Sequence, residues 1–189
     1  LPFLPDWLYR LLFPQPKLGL SELGRAAVRA MVREGVVIDL SHMSTRALAD
    51  TFELLDGLDP DRRVPVIASH SAFRFGRQEY GVDEETIGRI ASRDGVVGLI
   101  FAQHQLNDGV RHRRTQSFEE SFEVICRHLD RIAEITGSHE YAAIGSDLDG
   151  FIKPTMGGLE SMTDMSRLES ALRDRYGAEN AERICSGNA

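Results

Sequence analysis

Cysteine is scarce. The 189-residue chain has two, Cys126 and Cys185, and no CxxC pair. A disulfide framework is thereby excluded, and the two read as buried thiols of a reduced protein, which favours a cytoplasmic over a secreted setting. No apolar run approaches the ~20 residues that a membrane-spanning helix needs. Leu1 to Phe13 is apolar and aromatic, yet Pro2, Pro5 and Pro14 with Asp6 and Arg10 do not make a signal peptide. Positive charge is also short: 22 Lys and Arg against 29 Asp and Glu leave a net charge of −7. Nucleic-acid surfaces carry a basic face, so nucleic acid is not an expected partner. The only basic run, Arg111-His112-Arg113-Arg114, reads as a solvated loop. GxGxxG, P-loop, GxSxG and HExxH motifs are missing, as are low-complexity tracts and solenoid repeats. Nothing points to a nucleophilic Ser or Cys.

What is present is ordinary globular composition, 42% hydrophobic and 27% charged, in a length that suits one core. Its organising stretch is Gly35-Val36-Val37-Ile38-Asp39-Leu40-Ser41-His42-Met43-Ser44, an apolar β-branched run that ends in Ser-His. The pattern recurs in Val64-Pro65-Val66-Ile67-Ala68-Ser69-His70, and a third run, Ala142 to Ile144, leads to Gly145-Ser146-Asp147. Strands are expected at 36–41, 64–69, 96–101 and 142–146. Between them lie helices capped by Ser21, Ser44, Asp83 and Ser117. The first carries Leu23, Ala27, Ala30 and Met31 and stops at Gly35. Leu48, Phe52 and Leu55 face inward from the second, Ile87 and Ile90 from the third. The clearest, with a Ser117–Glu120 capping box, holds Phe118, Phe122, Ile125, Leu129 and Ile132 at helical spacing to Gly137. Long loops follow at Ser71–Val82 and Gln103–Gln116, and Leu159 to Arg173 and Ala178 to Cys185 read as closing helices. Residues 1–18 read as an irregular segment with a short helix around Trp7 to Leu12. The chain starts at Leu1 and stops at Ala189 without a tail, as expected of a piece of a longer protein.

This β-α alternation implies parallel strands joined by right-handed crossovers. Four strands are half of a (β/α)8 TIM barrel, and an open doubly wound sheet competes. Chemistry at strand ends favours the barrel, whose catalytic rim lies at the carboxyl ends of its strands. His42 and His70 end consecutive strands about 4.8 Å apart, close enough to share one metal ion; hydrogen-bonded histidines without metal are the alternative. Asp147 can accept a proton from metal-bound water and pass it to a leaving amine, or serve only as a turn residue. His104 faces the rim as a loop or substrate contact, and Arg74 and Arg77 are candidates to grip a substrate carboxylate, with exposed loop arginines the alternative. His112 and His139 read as loop residues. His128-Leu129-Asp130 spells the HxD of a metal-binding strand but lies inside a helix, so His128 and Asp130 are expected on a solvated surface.

Several of these segments together resemble the membrane (renal) dipeptidase family of zinc peptidases. The resemblance rests on Gly19-Leu20-Ser21-Glu22-Leu23-Gly24, Val37 to Ser44, Pro65 to Ser71, Gly95-Val96-Val97-Gly98 and Ile144-Gly145-Ser146-Asp147-Leu148-Asp149-Gly150, with Gly158-Leu159-Glu160 and Gly187-Asn188 near the end. It implies a metal-dependent hydrolase barrel of amidohydrolase type, residues 19–189 forming about four C-terminal βα units. It also implies two Zn2+ ions in the complete site, bridged by a carboxylate and a hydroxide. His42 and His70 match the two histidines of the second zinc, and Asp147 the catalytic acid/base. The HxD, the bridging Glu and a further His belong to an N-terminal half that this chain lacks, so at most one partly ligated zinc is expected. The family arginine that holds the substrate carboxylate has no clean counterpart: Tyr80 falls near its place, with Arg77 three residues away. The expected activity is dipeptide hydrolysis, with the fragment inactive alone. Lactone or non-peptide amide hydrolysis, or a non-catalytic scaffold, are the rivals. Expected partners are a small dipeptide, the missing half-barrel and a second copy in a homodimer.

Overall fold

A computed structural model describes Leu8, Leu11, Leu12, residues 18–76 and residues 80–188. The expected helix around Trp7 to Leu12 falls largely outside these residues, as does Arg77. Four β-α steps run in chain order: α1 (Glu22–Glu34), β1 (Ile38–Asp39), α2 (Thr45–Leu58), β2 (Val66–Ser71), α3 (Glu84–Ala91), β3 (Val97–Leu99), a short α4 (Gln103–Leu106), α5 (Phe118–Thr136), β4 (Ala142–Ile144) and α6 (Met165–Glu182). Local chemistry sets most boundaries. The side chains of Ser21, Ser44, Asp83 and Ser117 accept the N–H groups of Gly24, Ala47, Thr86 and Glu120, satisfying first-turn donors that have no helical partner. Gly35 and Gly137 close α1 and α5 in the left-handed conformation, at φ 67° and 80°.

All four strands are parallel and lie in the order β1-β2-β3-β4, with Ile38 opposite Val66, Ala68 opposite Val97 and Val97 opposite Ala142. Each crossover therefore steps the same way, unlike a doubly wound sheet, whose order reverses. The sheet also curls. A Cβ on Gly98 or on Gly145 would overlap the carbonyl oxygen of Ser69. Gly145 follows β4, two strands away from β2, and flat neighbours ~4.8 Å apart would hold those strands about twice that distance apart. Two glycines in one layer let the carboxyl ends of β2 and β4 meet.

Ile38, Leu40, Val66, Ala68, Val97 and Leu99 are buried under the helices, with Leu55, Ile87, Ile90, Ile125, Leu129 and Ile132 packed into the same core. On the other face of β1, Val37 is 44% exposed and Asp39 is exposed. At the amino-terminal end, Asp59 and Arg93 form a buried pair at 2.8 Å, and Asp59 also accepts the N–H groups of Arg63 and Val64.

Several expectations give way. Leu23 is 80% exposed, and Val28 carries the buried contact of α1. β1, β3 and β4 are shorter than expected, while β2 keeps six residues but shifts to Val66–Ser71. The second loop begins as the helix α4. Glu120 accepts from Gln116 N rather than from the capping Ser117, so the capping box is only half formed. The two closing helices run end to end as α6, divided at Gly177 (φ 82°), and finish in a wide turn at Arg183–Gly187. Cys126 is buried and Cys185 exposed, both as free thiols. His128 is fully buried, not solvated, and Asp130 bonds the hydroxyl of Tyr176 at 2.7 Å. No helix among the described residues is long and apolar enough to cross a membrane.

Candidate metal and catalytic site

The site begins where β1 stops. Asp39 Oδ1 accepts the N–H of Ser41 at 3.0 Å, and the N–H of Met43 bonds Leu40 O at 3.1 Å. This tight turn puts His42 in the left-handed region at φ 65°, a strained setting for a side chain with a Cβ. On the next strand, the N–H of His70 bonds Ser41 Oγ at 3.2 Å, tying the two Ser-His pairs together. The imidazoles then meet, Nε2 to Nε2, at 2.7 Å, with ring centroids 4.7 Å apart.

The far side of His70 shows which nitrogen carries the proton. Ser69 Oγ lies 2.7 Å from His70 Nδ1 and donates to Asp39 Oδ2 at 2.6 Å. Asp39 also accepts Ser69 N at 3.1 Å. Burial pulls the Asp39 carboxyl upward, but these bonds from Ser69 and Ser41 outweigh it and hold the group below the ordinary carboxylate value. An ionised carboxylate only accepts, so the Ser69 hydroxyl spends its proton on Asp39 and accepts from His70 Nδ1–H. His70 Nε2 is left with a lone pair aimed at His42. A carboxylate that orients a histidine in this way is the usual support of a metal ligand.

Two zinc–nitrogen bonds of ~2.0–2.1 Å at a tetrahedral angle put their nitrogens about 3.3 Å apart. The observed 2.7 Å needs a small side-chain rotation to reach that, and imidazole nitrogens suit the ion. The pair fits a metal. Among the described residues, no group of three or more His, Cys, Asp or Glu converges to hold one.

Asp147 leaves the same mouth of the sheet. It lies two residues past Gly145, whose α-carbon sits against the Ser69 carbonyl. Its backbone is left-handed at φ 53°, its carbonyl accepts Gly150 N at 2.9 Å, and its carboxylate lies over the Gly150 α-carbon. Arg74 turns back into its own loop, donating to Gly81 O at 2.9 Å and standing 3.7 Å from Asp83. Tyr80 is 43% exposed, and its carbonyl accepts Ser71 Oγ. His104 is half-buried on α4, and burial lowers its affinity for a proton. His112 is exposed, while the rings of His139 and Tyr176 meet at a tilt of 51°, centroids 4.8 Å apart.

Residues 11–189 match the family model described as membrane dipeptidase, peptidase family M19. The chain belongs to that family. It is 29% identical over 168 residues to an uncharacterised dipeptidase of Schizosaccharomyces pombe, covering 88% of this chain and 37% of the relative. It is 27% identical to dipeptidase tcpJ of Claviceps purpurea, over 90% of this chain and 37% of that protein. A solved M19 metallopeptidase, dipeptidase AC, superposes with a TM-score of 0.75 at 26% identity, over 93% of this chain and 48% of its own. A metallopeptidase from Rhodobacter sphaeroides, solved with a phosphinate mimic of L-Ala-D-Ala, gives the same TM-score and identity, over 93% and 46%. The α/β fold with its parallel sheet is that of the M19 dipeptidase structures, and the chain spans under half the length of these relatives.

Proposed function

We propose that this chain is the C-terminal half of the barrel of a zinc-dependent dipeptidase and supplies part of its active site. The observation that carries the reading is the facing Nε2 pair, with His70 held in its Nδ1–H form through Ser69 and Asp39. His42 and His70 would hold the metal. When bound, it supplies Lewis acidity and an activated water at neutral pH. Asp39 fixes the ring of His70 through Ser69, so that its lone pair points to the metal position in advance of binding. Asp147, at the mouth shared with that strand, takes a proton from the attacking water and returns it to the leaving amine. Tyr80, Arg74 and Arg77 belong to the loop after His70 and are proposed to meet the dipeptide's carboxylate.

Two imidazoles leave a zinc ion two protein ligands short of a closed tetrahedral set and one short of a catalytic site. Residues 1–189 alone are therefore expected to turn over no dipeptide. Joined to an N-terminal half-barrel, the chain should hydrolyse dipeptides only when metal is present. Asp147→Asn in that complete enzyme should lower kcat by about 10²–10⁴, the usual worth of general acid–base catalysis, with metal content unchanged. Stoichiometric zinc and full turnover by residues 1–189 alone, or an undiminished kcat in Asp147→Asn, would refute the assignment.

A further inference from the structure

His128 sits at the centre of α5 and is fully buried. Both of its ring nitrogens are bonded to backbone of other elements. Nδ1 accepts the N–H of Phe73 at 3.1 Å, and Nε2 donates to the carbonyl of Leu106, the last residue of α4, at 2.9 Å. Phe73 lies three residues beyond His70, where β2 becomes the loop that runs to Val82. The ring of Phe75 meets His128 edge-on at 5.0 Å, and Phe73 and Phe75 pack on each other at 4.7 Å. A packing-only residue in this place would be apolar; a histidine with two directed bonds instead fixes where the loop departs.

We infer that His128 is a positioning residue: it clamps the loop after His70 between α5 and α4 and so sets where the loop's Arg74 and Tyr80 stand at the mouth. For what that loop grips, the inference rests on the dipeptidase reading; the clamp itself does not.

The partners admit one state of the ring. A carbonyl needs Nε2–H, and an amide N–H needs a bare Nδ1, so the clamp holds only for the neutral Nε2–H tautomer. A proton on Nδ1 would set two donors against each other and release Phe73. Charged and titratable side chains on the enclosing elements are Arg74 and Asp83 of the loop, which face each other, His104 and Asp108 on and after α4, and Arg131, which reaches across Phe73 to Glu84 of α3. Burial, and not one of these charges, pushes the His128 imidazole down to about 4, with the Leu106 carbonyl pulling the other way.

Limited trypsin digestion of the whole chain at pH 7.5 reads the clamp directly, because the loop contains Arg74 and Arg77 while Arg113 provides an internal reference. His128→Ala should raise cleavage after Arg74 and Arg77 at least ~10-fold relative to cleavage after Arg113, the effect of losing about one hydrogen bond. His128→Asn, which keeps an acceptor near the Nδ1 position, should restore most of the protection. Nitrogen-15 spectra of the wild-type imidazole should show protonated Nε2 and bare Nδ1 at pH 7. Unchanged cleavage ratios, an equal rise at all three sites, no rescue by Asn, or the opposite tautomer would each overturn the inference. None of these readouts needs dipeptidase activity, so failure of the clamp and failure of the enzymatic reading are separate results.

Discussion

Asp39 never touches the proposed metal position, yet the chemistry of His70 depends on it. Without it, the Ser69 hydroxyl would be free to donate to His70 Nδ1, and the proton would move to Nε2, the nitrogen proposed to bind metal. Asp39→Ala should therefore weaken zinc binding by the completed barrel about 10–100-fold, the usual cost of removing such a support. Chelator competition measures this, and unchanged affinity would contradict the tautomer assignment. Asp39 is exposed, so circular dichroism should stay the same. The histidine pair could be read from the sequence because each His closes a local apolar run. Asp39 could not be assigned in the same way, although a signal was there: one carboxylate interrupts the β-branched run Val36 to Leu40, in line with a Ser before each His.

Among the elements, the curl of the sheet depends on two missing side chains. Gly98→Ala or Gly145→Ala would drive a methyl group into the Ser69 carbonyl, and backbone has no easy way to yield. Each should destabilise the fold by roughly 1–3 kcal/mol in thermal denaturation, with the histidine geometry disturbed as well. At the opposite end, Arg93→Met would strand the buried Asp59 carboxylate beneath α2 and α3, at a cost of about 3–5 kcal/mol. A loss under 1 kcal/mol would show that the pair is solvated in solution. Helix caps and strand runs were legible because their causes lie within a few residues. Burial of His128 and exposure of Leu23 were not, because both depend on which neighbours arrive from distant sequence. His128 in particular lies beside the Leu129 stripe, and only the Phe73 amide and Leu106 carbonyl make its burial affordable.

For the whole molecule, the buried neutral His128 links stability to pH. The unfolded imidazole takes a proton near 6.5, while the folded one resists until about 4. Between these values the unfolded state binds more protons, so this contribution is fully present above pH 6.5 and is lost as pH falls toward 4. The loss amounts to on the order of 3 kcal/mol. Urea denaturation from pH 7 to 4.5 should show it, and His128→Gln should flatten the slope. Strand order was predictable only as far as parallel alternation goes. The sequential β1-β2-β3-β4 order and the curl needed coordinates, because an open sheet and a barrel share the same periodicity. Among the described residues β1 lies at one edge of the sheet, with Val37 exposed on its uncovered face, which favours self-association of the isolated chain.

His42 and His70 are proposed to hold the metal of a dipeptidase. An anomalous difference map at the zinc edge tests this most directly, on crystals of the chain completed by an N-terminal half-barrel and grown with zinc. The expected result is a peak about 2 Å from both Nε2 atoms, with His70 Nδ1 still bonded to Ser69. A zinc peak elsewhere, with the two imidazoles still bonded to each other, would contradict it.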